Sequence, residues 1–279
     1  MNSMTASHVL QARRRRSLVR FLLLLALGAG LWLTLQYLNV RLERFATLFD
    51  RLGTLLATRY YPPDFEYIMR PRFLQSVLET IHMALLATLA GILLAIPLAW
   101  LAAFNASPLP GFGKGAARVV ITGARAIHEM IWAIVFIMVL GYGVLPGVLA
   151  LTLGCIGFAG KLFVEEIESI DDAPIEAMRA AGAGPLAVFF FGVLPQVRTA
   201  FIGIGIYTWD VVFRSATVVG FFGAGGMGWY LRRTADQLQS DRVAAIILLI
   251  AALVVFSEVI SHHARSALEG RTGRRVLAR

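Results

Sequence analysis

The sequence predicts an all-α, polytopic membrane protein with about six transmembrane helices. Three observations predict it. Hydrophobic residues make up 58% of the 279 and charged residues only 15%, with mean hydropathy +0.71, whereas soluble domains run at roughly 45–50% apolar and about 25% charged. Apolar runs of about 20 residues, the length that crosses a bilayer, recur along the chain. Arginines gather at the two ends, as Arg13, Arg14, Arg15, Arg16 and Arg20 and then Arg265, Arg271, Arg274, Arg275 and Arg279. Several bilayer spans explain such an apolar excess better than one very large aqueous core.

The first candidate span is 18–38, behind the basic tail 1–16. Basic residues followed by an apolar run have the order of a secretory signal. This run is long for that purpose and no small-x-small site follows it, so an uncleaved first helix over 17–38 is expected. The second span is 76–104 and contains Pro97, which predicts a kink. The third is 119–140, the fourth 144–163, the fifth 197–222 and the sixth 243–261. Residues 76–265 form the core, and the first ten and last ten residues read as flexible tails. No internal repeat is present.

An even number of spans puts both ends on one side, and basic residues favour the cytoplasm. The net charge of +9 therefore has a membrane explanation, and nucleic acid is not an expected partner. The inner segments hold more Arg and Lys than the outer ones. The main exception is Arg41, Arg44, Arg51, Arg59, Arg70 and Arg72, in the outer segment 39–75. There Leu42, Phe45, Leu48, Phe49, Leu52, Leu55 and Leu56 recur at helical spacing, which predicts an amphipathic helix ended by Tyr60-Tyr61-Pro62-Pro63. It could lie along the outer interface or pack on another outer loop. Cys155, alone in an apolar run, reads as a small buried residue.

The longest inner loop, 164–196, is the richest segment. Glu165, Glu166, Glu168, Asp171 and Asp172 precede Pro174, a short helix is expected over 175–181, and Gly182 and Gly184 close it. Ala177, Ala180, Ala181 and Gly182 would let another protein approach closely. An ordinary reversal loop is the plainer reading.

Glu176-Ala177-Met178, Gly182 and Leu194-Pro195 resemble the EAA loop of ABC importer permeases, whose pattern is E-A-A-x3-G-x9-I-x-L-P. Every spacing is kept, while Met178 replaces the second Ala and Gly192 the Ile. Further residues resemble the phosphonate-type branch: Gly160-Lys161-Leu162-Phe163, Leu194-Pro195-Gln196-Val197, then Tyr207, Asp210, Arg214, Ala216-Thr217-Val218 and Gly220. In the third span Arg125, Glu129, Trp132 and Ala133 also match. Asp210 stands where that branch has Glu, and His128 where it has Pro. The similarity covers about 74–265 and is strongest over 156–230.

The resemblance implies a type I importer (MetI-like) core in a bacterial inner membrane, with a second permease subunit, a homodimer or a heterodimer with a related chain. It implies a cytoplasmic ATP-binding subunit dimer docked on Glu176, Ala177, Met178, Gly182, Leu194 and Pro195, and an extracytoplasmic substrate-binding protein. The cargo would be a phosphonate or related phosphorus oxyanion. The chain itself is expected to be no enzyme and to hold no cofactor, with ATP bound by the partner. Residues 223–228 spell G-x-G-x-x-G, but they close a membrane span rather than follow a strand, so close packing or a turn is expected instead of a dinucleotide site.

Ionisable residues inside spans cost about 2.5–3.5 kcal/mol each on insertion scales, so they pair or line a path. Asp210 and Arg214 are four apart and share a helix face. They form either a structural pair or a pathway element in which Arg214 attracts an anion and Asp210 limits its grip. Arg125, His128 and Glu129 form a second cluster, with Arg125 and Glu129 expected to pair; pairing and gating are both open, and a metal would find too few ligands. An ion-coupled secondary transporter needs no docking loop and favours inverted repeats. A permease for another small solute is the nearer alternative.

Overall fold

The computed structural model describes the backbone of residues 3–38, 47–109 and 111–276, with the side chains of Arg16 and of 18–38, 47–109 and 111–267. Among these residues every regular element is helical. The chain divides into two units, Met1–Thr58 and Arg59–Arg279.

In the first unit, α1 (Ser3–Tyr37) carries the expected first span, Leu18–Tyr37, at mean hydropathy 2.1. The expected N-terminal tail instead enters the helix at Ser3. Once a span has nucleated the helix, each further residue adds a hydrogen bond, and no Pro or Gly interrupts the basic stretch. Helix α2 (Leu48–Leu55) sets Leu48, Leu52 and Leu55 opposite Asp50 and Thr54. The amphipathic helix is therefore present from Leu48. Its earlier part, with Arg41, Leu42, Arg44 and Phe45, lies outside the described residues. A π-helical turn, Leu56–Tyr60, ends it before Pro62 and Pro63.

The second unit opens with α3 (Phe65–Ile68), capped by Asp64, whose Oδ1 accepts the Tyr67 N–H at 3.0 Å. Arg242 ties this turn to the far end of the chain, 3.2 Å from Asp64 and over the Tyr67 ring. Helix α4 (Pro71–Ala102) begins on a proline, whose missing N–H is harmless in a first turn, and runs through Pro97 as a single helix. Then come α5 (Phe112–Ala126), α6 (Glu129–Leu140), α7 (Val144–Glu168), α8 (Ala173–Ala180), α9 (Leu194–Val219), α10 (Gly226–Asp236) and α11 (Ser240–Val276). The expected C-terminal tail continues α11 as far as Val276; residues 277–279 lie outside the described residues. Among the described residues five helices are long and apolar enough to span a bilayer, or six if α5 and α6 count as one.

That pair corrects the expected continuous third span. The two helices meet at 90°. Ile127 (φ −108°, ψ 125°) and His128 (φ −64°, ψ 142°) are extended, and the His128 ring caps α6 by accepting the Met130 N–H at 3.3 Å. A φ of −64° is the angle proline imposes, and an extended residue is what proline requires before it. The break thus keeps a proline-compatible backbone with histidine in place. Hydropathy could not reveal it, because apolar residues continue on both sides of the bend.

Helix α7 is the packed centre: 61% of its apolar window is buried, against 33% for α4 and 22% for α11. It lies chiefly along α4 and also meets α5, α6 and α9. Small residues make these approaches possible, as in other membrane bundles. A side chain at Gly91 of α4 would strike Cys155 of α7, and one at Gly157 would stand 2.6 Å from the Arg125 backbone nitrogen. Cys155 is buried, as expected.

The glycine run is a turn, not a nucleotide loop. Gly223, Gly225 and Gly226 have φ of +116°, +83° and +66°. They reverse the chain from α9 into α10, where Thr80 Oγ1 of α4 accepts the Met227 N–H at 2.9 Å. A side chain on Gly228 would run into the Thr217 carbonyl. Backbone angle and space both demand glycine here.

Candidate functional site

The 164–196 segment lies at the end of the second unit opposite this glycine turn. Asp171 accepts the Ala173 N–H at 3.0 Å, and Pro174 stands in the first turn of α8. At the other end the Gly182 N–H donates to Arg179 O and the Ala183 N–H to Met178 O, both at 3.0 Å. This is a Schellman closure, which needs a left-handed residue, and Gly182 supplies it at φ +80°. Nothing lies within 4 Å of where a Gly182 side chain would begin. Conformation alone requires that glycine.

One side chain of the helix is fully buried. Ile175 is buried, facing Gly192 in the π-helical turn Val188–Val193, while Glu176, Ala177, Ala180 and Ala181 are exposed. Leu194 is half-buried and Pro195 exposed where α9 begins. The two departures from the EAA pattern meet in space: the Met178 Sδ lies 3.3 Å from where a Cβ on Gly192 would stand. A larger residue on α8 is accommodated by the absence of a side chain on the facing turn. The motif is altered as a pair.

Sequence reasoning missed how this helix is tied to the spans. The Arg179 guanidinium donates to Asn105 O at 3.0 Å. The Asn105 amide donates to Ile167 O and to Asp172 Oδ1, both at 2.9 Å. Beside it, Glu168 Oε1 accepts from Arg118 at 2.5 Å and from the Phe104 N–H at 3.1 Å. Arg118, expected in a loop, stands on α5, which begins at Phe112 rather than Val119. Only the density of acids and the single Asn near the end of α4 hinted at this network. The long-range contacts in it join residues at least 50 apart in sequence.

The intramembrane groups fall into two sets. Arg214 and Asp210 pair at 3.0 Å as their spacing predicts. Asp210 is buried and also accepts from Ser257 of α11 at 3.3 Å, while the Arg214 side chain is 55% exposed. The carboxylate is held inside and the guanidinium reaches the surface.

The expected Arg125–Glu129 pair does not form, because the 90° bend between α5 and α6 destroys the i,i+4 register. Glu129 instead accepts from Ser215 of α9 at 2.5 Å. His128 Nδ1 is 3.8 Å from Glu129, but it already accepts the Met130 amide and so acts as a cap. Arg125 is exposed and has no ion-pair or hydrogen-bond partner for its side chain among the described residues. A cavity of about 350 Å³ lies at the bend, lined by Arg125, His128, Glu129, Gly154, Phe158 and Ser215 among others. Ser215 was not expected; it faces the cavity one residue beyond Arg214.

The polar groups are thus spread along the bundle, from the cavity at the bend to the exposed helix α8. The chain is 41% identical over 223 residues to the phosphite transport system permease protein PtxC of Stutzerimonas stutzeri, covering 78% of this chain and 80% of that protein. It is 38% identical over 227 residues to the phosphate-import permease protein PhnE of Mycolicibacterium smegmatis, covering 81% of this chain and 42% of that protein. Its fold resembles that of a chain of the MetNI methionine ABC transporter in an inward-facing conformation, with a TM-score of 0.60 at 19% identity, covering 72% of this chain and 99% of that one. Residues 91–269 match the model of a membrane-transport family. The chain belongs to the binding-protein-dependent transport system inner membrane component family.

Proposed function

We propose that this chain is the permease subunit of an ATP-driven importer whose cargo is a phosphorus oxyanion: phosphite, phosphate or a phosphonate. The observation that carries the reading is the exposed face of α8. Between two spans, a short helix anchored by one isoleucine and closed by a Schellman turn presents Glu176, Ala177 and Gly182 outward. That is a lever for a separate motor, and the named cargoes of the relatives favour phosphorus oxyanions. Arg125 and Arg214 supply positive charge suited to such a cargo, since guanidinium N–H groups match its oxygens.

In this reading both termini and α8 face the cytoplasm of a bacterial inner membrane, and two copies of the chain enclose the path. A dimer of ATP-binding subunits docks on Glu176, Ala177, Met178, Gly182, Leu194 and Pro195. A substrate-binding protein delivers cargo to the opposite end. The chain performs no catalysis and holds no cofactor; ATP is bound and hydrolysed by the partner. Closure of the ATPase moves α8 and, through Arg179 and Asn105, the ends of α4 and α7.

The test is co-purification and uptake. Glu176→Lys is expected to abolish retention of the ATPase and to reduce phosphite or methylphosphonate uptake at least tenfold, with the permease still present in the membrane. Unchanged retention and uptake would overturn the docking assignment.

A further inference from the structure

A second cavity, of about 260 Å³, follows the first along the boundary between α5 and α7. Arg118, Thr122 and Arg125 line it from α5, and Lys161, Val164 and Glu168 from α7. The α5 residues fall at helical spacing, which sets them on one face. Arg125 lines both cavities, so the two adjoin at this residue. The lining holds three cations and one carboxylate. Lys161 is also paired with Glu165 at 2.9 Å, outside the lining.

We infer that this second cavity is a release site for a phosphate-class oxyanion, entered past Arg125 and held by Lys161, Thr122 and Arg118. The inference rests on the importer reading above and deepens it by giving the cargo a place near the docking end. Three observations support it. Three cations against one carboxylate leave the lining net positive, a charge that an anion can offset. Arg125 has no protein partner, so its guanidinium is available to an incoming oxyanion. The third cation, Arg118, is held by Glu168, whose same oxygen accepts the Phe104 N–H.

That last contact gives the site its control. Phe104 adjoins Asn105, which receives Arg179 of the docking helix. A shift of α8 therefore acts on the group that competes with cargo for Arg118. With Glu168 drawn onto Arg118, the site holds the anion weakly and releases it; with Glu168 withdrawn, three cations face it. Arg118 and Glu168 are positioning and binding groups here, and no bond is made or broken.

Lys161→Gln is the informative variant, because its partner supplies a control. Glu165→Gln breaks the same ion pair but leaves the lining cation in place. The permease assembled with its ATPase and binding protein is reconstituted in phosphatidylcholine vesicles, and ATP-dependent phosphite uptake is measured. Lys161→Gln is expected to lower uptake about tenfold and Arg125→Gln at least as much, with Glu165→Gln equal to the unaltered complex or faster. Equal losses in Lys161→Gln and Glu165→Gln would reduce Lys161 to a structural pair and overturn the site.

The same cations would suit a lipid phosphate. If the Lys161→Gln defect appears only in vesicles containing phosphatidylglycerol, the ligand is a headgroup and the cargo assignment fails. If the unaltered complex hydrolyses ATP yet takes up neither phosphite nor methylphosphonate, the importer reading fails instead. Phosphorus NMR line broadening of inorganic phosphate by the complex then decides the site by itself. Broadening that Lys161→Gln removes supports it, and broadening that persists overturns it.

Discussion

Two chain reversals in the second unit use the same device and reach opposite ends. At Gly182 and again at 223–226 the backbone enters the left-handed region and turns back. Around Gly182 a side chain would meet only open space, whereas one at Gly226 would strike Thr80 and one at Gly228 the Thr217 carbonyl. The first turn is held by its own hydrogen bonds and leaves its helix exposed. The second is locked between α4, α9 and α10. The exposed reversal is built from conformation alone, and the enclosed one from conformation and packing together.

The largest expected effect breaks the locked turn. Gly228→Ala forces a methyl group against a backbone carbonyl, and neither helix can yield without losing contacts. Overpacking of this kind costs about 1–3 kcal/mol, on top of helices whose small-residue contacts hold them together. Membrane yield and thermal stability in detergent should both fall well below those of Gly182→Ala.

Gly182→Ala comes next and sharpens the contrast. Only the backbone penalty of a left-handed alanine applies, about 1–2 kcal/mol. The protein should lose less thermal stability than Gly228→Ala, because α8 frays locally at its closure, while ATPase retention weakens several-fold if α8 is the docking surface proposed above. Equal destabilisation by both alanines would erase the distinction.

A third test uses the altered motif pair. Gly192→Ile alone should destabilise, since its side chain enters the space of Met178. Adding Met178→Ala should recover much of the loss. The coupling energy of contacting residues typically falls at about 0.5–3 kcal/mol, and a value near zero in detergent melting curves would mean the two positions are independent.

The smallest effect concerns the bend. Ser215→Ala removes one hydrogen bond to Glu129, and a bond to a charged group contributes about 1.5–3 kcal/mol when buried and less when partly wet. Assembly should persist with uptake reduced about two- to threefold.

These contrasts also mark what a sequence makes visible. The spans were legible because about 20 apolar residues in a row have few alternatives in water. Helix α8 was legible because proline, an acid and a closing glycine are local signals. The break at Ile127 and His128 was not, since hydropathy records polarity and not direction. The pairing of Arg125 with Glu129 failed for the same reason: the four-residue rule assumes an unbroken helix. Met178 against Gly192, and Glu168 against both Arg118 and Phe104, are tertiary facts. Each partner is unremarkable where it stands in the chain.

The bend between α5 and α6 has a consequence for solvent. The last carbonyls of α5 and the first amides of α6 lose their in-helix partners at bilayer depth, and His128 satisfies only part of them. Hydrocarbon cannot accept such groups, so interrupted backbone is tolerated only where protein or water meets it. Around residues 123–129 that role falls to Gly157 of α7, packed against the Ala124–Arg125 backbone, and to the cavity lined by Arg125, His128 and Glu129, which is open to water. Water in that cavity would thin the dry layer at the bend and concentrate the membrane's electric field at the level of Arg125.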